Sequence, residues 1–586
     1  MASPLLQARL DRMRVAALQS LGRSAIPQWI IDNTRHPNDP TKPWSFLHHE
    51  YQIGILETDA EYISVIKAAQ TGMSELSVRL MLALASLYRS SRFMYVLPSS
   101  GFSRKFVVDR VDPVIESSPQ LSRELSKEVN NSEIKRIANS FIYFAGAQKT
   151  GQAISVPAKG LVMDEVDFCS QSVLTSFYSR LQHNMPGESI VTRFSTPTVP
   201  GYGISQLHEA GSQGVYMVWH EKCGQWVVVD PLQDIILPGW QEDTLENFTK
   251  ADLDDPTLRL EAAFVQCPHC HKPISQSNLS DPKKRAWVHH YPDKVEKSFY
   301  VSPLDVAAIN TPEKILRNVR NYNRHIDWIN FGLGKAFQDA ENSVVKQAVE
   351  KSATAITVYP GKSGVQGGLI GSDVGKTSHL LVGVRDGKYM DIIWAERIRQ
   401  DGSGNLVSTW KERMDEYGAW KMVVDAGPDI SSPQQLIEES VYGRAWACYF
   451  TRGSSRRLSD LDIKEEEQII GAYRTSIIDK VVKQLNGGLI RLPKGHPELP
   501  TIIKHFTQMK RVSRLSDTTG ETTAHWASLS KENHYFFALV YLMIADDLAT
   551  GQGAVVALPD TGAIRKVQVG GAIQDRQNDF WSRPLG

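Results

Sequence analysis

Cysteine is scarce in this 586-residue chain, and two of its five cysteines form a single CxxC pair. So small and odd a set does not build a disulfide framework, and the pair indicates a possible metal site in a reducing compartment. Long hydrophobic segments are missing, since no run of about 18 apolar residues occurs. We therefore expect a chain that neither spans a membrane nor is secreted through a signal peptide. Net charge is also missing, because 65 basic residues balance 65 acidic ones, so any basic surface for nucleic acid must be local.

The chain is long, and its apolar segments alternate with helical ones. A length of 586 residues with 41% hydrophobic residues exceeds what one core holds, which indicates several domains. From Trp44 to residue 214, strand-like runs such as EYISVIK, RFMYVLP and GLVMDEV alternate with amphipathic helices. This alternation predicts a parallel α/β sheet. A second α/β block extends from residue 354 to residue 550.

Composition changes between the blocks give the predicted boundaries. Scattered Trp, His, Cys and Pro indicate a small insertion that needs a cross-link such as a bound metal for stability. Glycine enrichment indicates that the last segment is a flexible tail. The predicted segments are an N-terminal helix and connector at 1–43, a first α/β domain at 44–214, a cysteine- and histidine-containing insertion at 215–300, a helical linker at 301–353, a second α/β domain at 354–550 and a flexible tail at 551–586.

The end of the first predicted strand has the layout of a phosphate-binding loop. Strand, tight loop and helix follow one another, so loop amides and the helix N-terminus would point at an anion. Compared with GxxxxGK[ST], Gly72 and Ser74 are in register, but Met73 occupies the lysine position and Lys67 the first-glycine position. Lys67 could still reach the phosphates from the front of the loop, while Ser74 holds Mg²⁺. An ordinary strand-to-helix turn is the alternative. The residues expected at the nucleotide are Lys67, Gln70, Thr71, Gly72, Met73, Ser74 and Glu75.

Two later strand ends supply further groups that ATP hydrolysis needs. The strand in GLVMDEVDF ends at Asp164 and Glu165, which would bind Mg²⁺ and polarise the attacking water, respectively. A third strand ends in FSTPT, where Ser195 or Thr196 could sense the γ-phosphate. Paired acids and proline turns are each common at protein surfaces. The prediction of an ATP-hydrolysing site therefore depends on the order in which the loop, the paired acids and the S-T-P segment occur along the chain.

These three signals resemble the large terminase subunits of tailed phages, particularly the lambda-like gpA type. The shared features are a lysine at the front of the loop, a strand ending in Asp164-Glu165, and an S-T-P coupling segment. The upstream segment WSFLHHEYQIGIL is similar to that family's adenine-side segment, which implies that Tyr51 and Gln52 contact the base. The resemblance implies an ASCE-type P-loop ATPase that uses ATP and Mg²⁺.

Cysteine and histidine form two knuckles in the predicted insertion. His220 and Cys223 form an HxxC, and Cys267 and Cys270 form a CxxC. Three thiolates and one imidazole are a complete ligand set for a tetrahedral structural Zn²⁺. The alternative is a metal-free insertion in which Cys223 is simply buried.

The second block carries candidate ligands for nuclease metals. Asp373 and Asp425 each end an apolar strand, and an RNase H-like nuclease needs such carboxylates to hold Mg²⁺ or Mn²⁺. Aspartate beside glycine at a strand end is also ordinary turn chemistry. The third ligand is expected at the start of the late helix ENHYFFALVYLMIADDL, where Glu532, Asn533 and His534 are the alternatives. Asp546, further along this helix, is expected on the surface.

The resemblance implies a DNA-packaging motor fused to a cutting domain. ATP hydrolysis would move viral double-stranded DNA into a procapsid, and the nuclease would cut concatemeric DNA. The implied partners are the small terminase subunit, the procapsid portal and further copies of the chain in a ring, with no membrane. The implied location is the host cytoplasm, with transient docking on the procapsid.

Two other functions fit part of the pattern. A helicase-like repair or restriction ATPase-nuclease would show further helicase motifs in a second motor lobe, where this sequence has zinc-type ligands. A DNA-binding packaging scaffold with degenerate catalytic sites is favoured by Met73 and Asn533. DNA-stimulated ATP hydrolysis distinguishes these possibilities.

Overall fold

The structure is a computed structural model, and it forms two compact units. The units comprise Met1–Gln338 with Val512–Ala524, and Asp339–Arg511 with His525–Gly586. No helix in the described part of the chain is long and apolar enough to cross a membrane. The helix predicted within residues 1–21 and most of the predicted tail lie outside the described residues. Those described are 22–36, 39–148, 151, 156–338, 343–361, 364–399, 406–427, 430–451, 460–515, 522–530, 532–551, 555–556 and 565–566.

The first unit alternates strands with short helices. Its helices are α1 (Ile26–Asn33), α2 (Tyr51–Glu57), α3 (Met73–Leu87), α4 (Ser100–Phe106), α5 (Asp112–Ser117), α6 (Pro119–Glu124), α7 (Gln171–Tyr178), α8 (Gly203–Ala210), α9 (Gln276–Ser280), α10 (Pro312–Arg317) and α11 (His325–Asp327). Its strands are β1 (Arg35–His36), β2 (Asp39–Pro43), β3 (Tyr62–Lys67), β4 (Arg92–Leu97), β5 (Leu125–Asn130), β6 (Ile134–Ile137), β7 (Ser140–Gly146), β8 (Gly160–Asp164), β9 (Ile190–Ser195), β10 (Gly214–His220), β11 (Gln225–Val227), β12 (Ile235–Ile236), β13 (Phe264–Gln266), β14 (Pro273–Ile274), β15 (Arg285–His289) and β16 (Lys297–Val301).

The main sheet of this unit has the strand order β11-β10-β16-β3-β9-β8-β4-β7-β6-β5, with β15 beside β10. The strands from β16 to β7 run parallel to one another. Strand β9 lies between the loop-bearing β3 and the acid-bearing β8, which is the order of an ASCE-type P-loop ATPase. Because parallel strands present their carboxyl ends at one edge, the loops after β3, β8 and β9 meet there.

The predicted insertion and the first part of the predicted linker, up to Gln338, are built into this unit. Strands β10, β15 and β16, from the predicted insertion, are hydrogen-bonded into the main sheet. The predicted linker supplies Leu316, Trp328 and Ile329 to the buried cluster that contains Cys267. The apolar side chains of this first part are covered by the cysteine-bearing region, so it packs as core, while the boundary between the two units falls later in the predicted linker, after Gln338.

The second unit has its own sheet and helices. Its helices are α12 (Lys346–Lys351), α13 (Leu406–Glu416), α14 (Ser431–Glu438), α15 (Arg474–Asn486), α16 (Leu499–Thr507) and α17 (His534–Thr550). Its sheet strands are β17 (Leu369–Asp373), β18 (Thr377–Asp386), β19 (Tyr389–Arg399), β20 (Lys421–Asp425), β21 (Ala445–Thr451), β22 (Leu461–Lys464), β23 (Ile469–Tyr473) and β24 (Ile490–Arg491). Two separate pairs are β25 (Met509–Leu515) with β26 (Thr522–Ser528), and β27 (Val555–Val556) with β28 (Arg565–Lys566).

The sheet order is β22-β23-β21-β20-β17-β18-β19-β24. Its central strands β19-β18-β17-β20-β21 follow the order 3-2-1-4-5, and only β18 runs against the others. This is the strand arrangement of an RNase H-like fold. Helix α17 is apolar on all sides and almost wholly buried, as expected for a helix enclosed by a sheet and other helices. The predicted α/β multidomain fold class is confirmed.

Candidate functional site

The loop after β3 turns directly into helix α3. Gln70 and Gly72 adopt positive φ angles of 59° and 75°, and Gly72 is the N-cap of the helix. Met73, at the usual lysine position, is 1% exposed and packs into the hydrophobic core. Thr71 is also buried, and its hydroxyl donates to the Ala68 carbonyl at 2.8 Å. The loop itself therefore offers no lysine at its conventional position.

Lys67 supplies the cation from the front of the loop. Its Nζ lies 2.5 Å from Glu165 Oε1 and 3.9 Å from Asp164 Oδ1. Burial opposes the charge of Lys67, but the two carboxylates outweigh it and raise its pKa. The ammonium is therefore held charged at the junction of the loop strand and the acid-bearing strand.

Asp164 is connected to the loop helix through a tyrosine. The Tyr95 hydroxyl lies 3.2 Å from Asp164 Oδ2 and 2.6 Å from Ser77 Oγ on α3. Burial raises the pKa of Asp164 to about 6, although Lys67 acts in the opposite direction. Ser74, the predicted Mg²⁺ ligand, is half-buried in the first turn of the same helix. The hydrogen bonds of Tyr95 therefore connect β8, which ends at Asp164, to helix α3, which carries Ser74.

Glu165 connects the acid-bearing strand to the predicted sensor. Its backbone is left-handed, at φ 55°, and its Oε2 lies 3.3 Å from both the amide nitrogen and the hydroxyl of Thr196. Ser195 Oγ lies 3.4 Å from the same oxygen. The structure thus brings together Lys67, Glu165 and Thr196 from three different strands.

Tyr51 and Gln52 contact the loop itself. Both are buried, and the Tyr51 hydroxyl and the Gln52 side-chain amide donate to the carbonyl of Thr71. Glu75, also among the expected nucleotide contacts, accepts hydrogen bonds from Arg79 at 2.7 Å and Arg110 at 2.8 Å.

Asp167 is a buried carboxylate that the sequence analysis did not identify. Its Oδ2 accepts hydrogen bonds from the amide and the hydroxyl of Thr198, both at 2.8 Å, and its Oδ1 accepts one from the Ile204 amide at 2.7 Å. Its own amide donates to Ser195 Oγ at 3.2 Å. Asp167 therefore ties the coupling segment to the chain that carries Glu165. The signal was present as the third acid of DEVD, but its partners depend on the folded loops.

The cysteine and histidine knuckles come together as the sequence predicted they could. The donor atoms of His220, Cys223, Cys267 and Cys270 all lie within 4.8 Å of one another. Cys223 Sγ is 3.9 Å from Cys267 Sγ and 3.4 Å from His220 Nδ1, and Cys270 Sγ is 3.5 Å from that nitrogen. A tetrahedron of ligands about 2.3 Å from Zn²⁺ has edges of about 3.8 Å, so these residues fit the ion.

Two nearby residues contact the nucleotide loop and helix α2. The carbonyl of Phe331 accepts a hydrogen bond from the Ala69 amide at 2.6 Å. The Trp287 ring nitrogen donates to the carbonyl of Tyr51 at 2.8 Å. Phe331 follows Trp328 and Ile329, which pack in the cluster around Cys267. The cysteine-bearing core therefore fixes the segment whose Phe331 carbonyl binds the loop at Ala69.

In the second unit, Asp373 and Asp425 end neighbouring parallel strands. Ser372 pairs with Val424, so the two aspartates follow in register. Burial raises the pKa of Asp373, against the effect of His534, and burial raises that of Asp425 to about 6. Two carboxyls with raised pKa values at one sheet edge are typical of a functional site.

His534 is the candidate third ligand that the fold brings to Asp373. Its Nδ1 lies 2.7 Å from Asp373 Oδ2. A Cβ atom on Gly371 would lie 2.1 Å from the Ala538 carbonyl oxygen, so this glycine lets α17 press against β17. Glu532 is exposed and pairs with Lys504, while Asn533 is the N-cap residue of α17.

Asp546 and His379 differ from what the sequence suggested. Asp546, expected on the surface, is 2% exposed and accepts a hydrogen bond from Arg385 Nε at 2.8 Å. Its helix is enclosed, so the carboxylate needs this partner. His379, not considered from the sequence, joins Asp373 and His534 in a group whose donor atoms all lie within 4.8 Å.

Comparison with known proteins agrees with this geometry. Residues 44–286 match the family model described as "Phage terminase large subunit gpA, ATPase domain". A comparison with curated proteins finds no match.

Among solved structures, the chain is similar to the HK97 bacteriophage large terminase, at 10% identity and a TM-score of 0.47, covering 88% of this chain and 98% of that one. It is also similar to the ATPase domain of the Thermus phage P74-26 large terminase, at 14% identity and a TM-score of 0.29, covering 51% and 96%. A large terminase nuclease from a thermophilic phage aligns at 15% identity and a TM-score of 0.23, covering 35% and 98%.

The family match spans the loop, both acids, the coupling segment and the cysteine–histidine knuckles. Over residues 44–286, the chain therefore matches the ATPase domain of phage terminase large subunits of the gpA type.

Proposed function

We propose that the chain is a DNA-packaging motor that hydrolyses ATP to translocate viral double-stranded DNA into a procapsid. The observation that carries this proposal is the buried contact between Lys67 and Glu165, with Thr196 on the opposite carboxylate oxygen. A γ-phosphate that binds Lys67 competes with Glu165 for the ammonium. Glu165 is then released to accept a proton from the attacking water.

The remaining groups position this reaction. Ser74 and Asp164 would hold Mg²⁺, which neutralises charge on the phosphates. Thr196 contacts Glu165, so release of the carboxylate would change what the coupling segment contacts. Asp167 transmits that change to residues 198–204. This gives a route from hydrolysis to movement of a DNA-gripping element.

The cysteine–histidine cluster is proposed to hold a structural Zn²⁺. Its four donors are spaced for tetrahedral coordination, and none of the five cysteines is in a disulfide. Trp328 and Ile329 pack in the buried cluster that contains Cys267, and Phe331, two residues further on, accepts a hydrogen bond from the Ala69 amide. The ion would stabilise the part of the unit on which the nucleotide loop rests.

The second unit is proposed to be the nuclease that cuts concatemeric DNA. Asp373 and Asp425 are adjacent at one sheet edge and would hold Mg²⁺ or Mn²⁺, which activates water for phosphodiester hydrolysis. Double-stranded DNA, the small terminase subunit, the portal and a ring of identical chains are the proposed partners, in the host cytoplasm.

DNA-stimulated ATP hydrolysis tests the motor. Glu165→Gln is expected to reduce kcat by about 10²-fold or more while ATP still binds, as expected for loss of a general base. Glu188→Gln is the matched control, because Glu188 pairs with Lys159 at 3.0 Å before β9 and β8, at the opposite edge of the sheet. Equal rates in the natural chain and Glu165→Gln, or no hydrolysis in either, would refute the motor.

A further inference from the structure

We propose that Asp373, His379 and His534 form a binding site for a transition-metal ion in the second unit. The inference deepens the proposed nuclease by naming the metal class it uses, and it adds an imidazole ligand from β18. It rests on the register of a hairpin, the position of a helix and an unsatisfied buried nitrogen.

The hairpin of β17 and β18 places the first two ligands side by side. Asp373 pairs with His379 across the antiparallel ladder. Directly opposed residues of such a pair project from the same face of the sheet, with Cβ atoms about 5 Å apart. A donor atom of His379 therefore comes within 4.8 Å of the Asp373 carboxylate.

Helix α17 delivers the third ligand from above this face. The ring of His534 stacks on that of His379, with centroids 4.7 Å apart and an interplanar angle of 11°. His534 also lies against Asp373, at 2.7 Å. The close approach of the helix at Gly371 thus gives three donors from three elements.

His379 has a ring nitrogen that the protein leaves unsatisfied. The residue is 6% exposed, and its Nδ1 is buried with no hydrogen-bond partner among the described residues. Leaving a buried polar atom unpaired costs about 1–3 kcal/mol. A bound metal ion would explain why the fold holds His379 beside the Asp373 carboxylate and the His534 imidazole.

His505 lies beside the cluster but is not a ligand. Its Nδ1 accepts a hydrogen bond from the Tyr535 amide at 3.2 Å. A neutral imidazole that accepts at Nδ1 carries its proton on Nε2, so neither nitrogen has a free lone pair. His505 is therefore a matched control, because it is a buried histidine packed against the same rings.

The donor set determines the class of ion. Two imidazoles and one carboxylate suit Mn²⁺, Co²⁺, Ni²⁺ or Zn²⁺, whereas Mg²⁺ prefers oxygen ligands throughout. His379 and His534 line a cavity of about 1040 Å³, and the His534 side chain is 40% exposed. An ion at this site is thus open to solvent and to a phosphodiester.

Manganese binding to the full chain tests the site without relying on cleavage. The protein is reconstituted with one equivalent of Zn²⁺, which the thiolate cluster takes in preference, and excess Zn²⁺ is removed. It is then kept free of nucleotide and titrated with Mn²⁺, and free Mn²⁺ is measured by electron paramagnetic resonance. The natural chain should bind Mn²⁺ with an affinity that a tenfold excess of Mg²⁺ does not abolish. His379→Gln and His534→Gln should each weaken binding about tenfold or more, while His505→Gln should leave it within about threefold.

The outcomes separate this site from the proposed nuclease. Binding that survives both His379→Gln and His534→Gln but is lost in Asp425→Asn overturns the imidazole site and leaves a carboxylate nuclease standing. Binding that depends on His379, in a chain that cuts no DNA with Mn²⁺, supports the site and refutes the nuclease. His534→Gln keeps the test valid if the buried His379 variant does not fold, because His534 lies at an accessible helix terminus.

Discussion

Lys67 Nζ lies 2.5 Å from Glu165 Oε1, and this contact joins β3, which leads into the nucleotide loop, to the end of β8, where the proposed general base follows. The two strands are not neighbours, because β9 runs between them. The coupling segment at the end of β9 therefore lies beside the ion pair. A change in the contacts of Lys67 on nucleotide binding can therefore alter the coupling segment through the Glu165 carboxylate, which also contacts Thr196.

Lys67→Ala should abolish ATP hydrolysis, and adding Met73→Lys should not restore it. Met73 is 1% exposed and its side chain points into the core, so a lysine there would bury a charge instead of presenting it to phosphate. ATP affinity and turnover of the single and double variants provide the measurement. Recovery of turnover in the double variant would show that the loop accepts the conventional lysine position.

Asp167→Asn should uncouple DNA from hydrolysis while ATP still binds. The NH₂ group of the asparagine would face either the N–H and O–H donors of Thr198 or the N–H of Ile204. A donor facing a donor leaves hydrogen bonds unmade, at a cost of about 1–3 kcal/mol. The ratio of DNA-stimulated to basal ATPase rate is expected to fall towards one. Asp252→Asn is the matched control, because Asp252 accepts from the amide and hydroxyl of Thr249 in the same pattern on a capping box. An unchanged ratio in Asp167→Asn would exclude the coupling role.

Removal of zinc should weaken ATP binding as well as folding. Cys270→Ser is expected to lose bound zinc, lower Tm and raise KM for ATP, because the segment that packs in the cysteine-bearing core continues to Phe331, which contacts Ala69 of the loop. Cys448→Ala, which alters a buried thiol of the second unit, should keep its zinc. Metal analysis and steady-state kinetics provide the readout. A natural chain that folds without zinc would contradict the assignment.

Gly371→Ala should destabilise the second unit and weaken Mn²⁺ binding. The added Cβ would meet the Ala538 oxygen at 2.1 Å and the Leu542 nitrogen at 2.2 Å, both backbone atoms, which forces α17 away from β17. We expect a loss of about 1–3 kcal/mol in the free energy of unfolding. Gly375→Ala, whose Cβ would have Thr377 O as its nearest contact at 3.6 Å, should change stability little. Thermal melts and Mn²⁺ titration distinguish the two.

Acid should destabilise the second unit partly through His505. Burial lowers the pKa of His505 to about 4, against about 6.5 for an unfolded histidine. Between these values the unfolded chain binds the extra proton, so stability falls as pH drops from about 6.5 to about 4. The difference in Tm between pH 7.5 and pH 5.0 should therefore shrink in His505→Gln. An equal or larger difference would show that other groups control acid sensitivity.

Local sequence order was sufficient to predict the α/β classes and most of the nucleotide site. Lys67 ends β3, Glu165 and Thr196 directly follow the ends of β8 and β9, and parallel strands bring their carboxyl ends to one edge. The same reasoning placed Asp373 beside Asp425, and each cysteine or histidine knuckle was recognisable from its own spacing. These predictions depend on contacts within one motif or on a general property of parallel sheets.

Other features were decided only by tertiary packing. His379 reaches Asp373 because one hairpin register sets them opposite each other, and a shift of one residue would turn it to the other face. His534, instead of Glu532, reaches Asp373 because Gly371 admits the helix closely. The first part of the predicted linker packs as core because its apolar side chains contact the cysteine-bearing region. The sequence by itself determined which groups stand at the ends of strands, whereas register and close packing determined which of them meet.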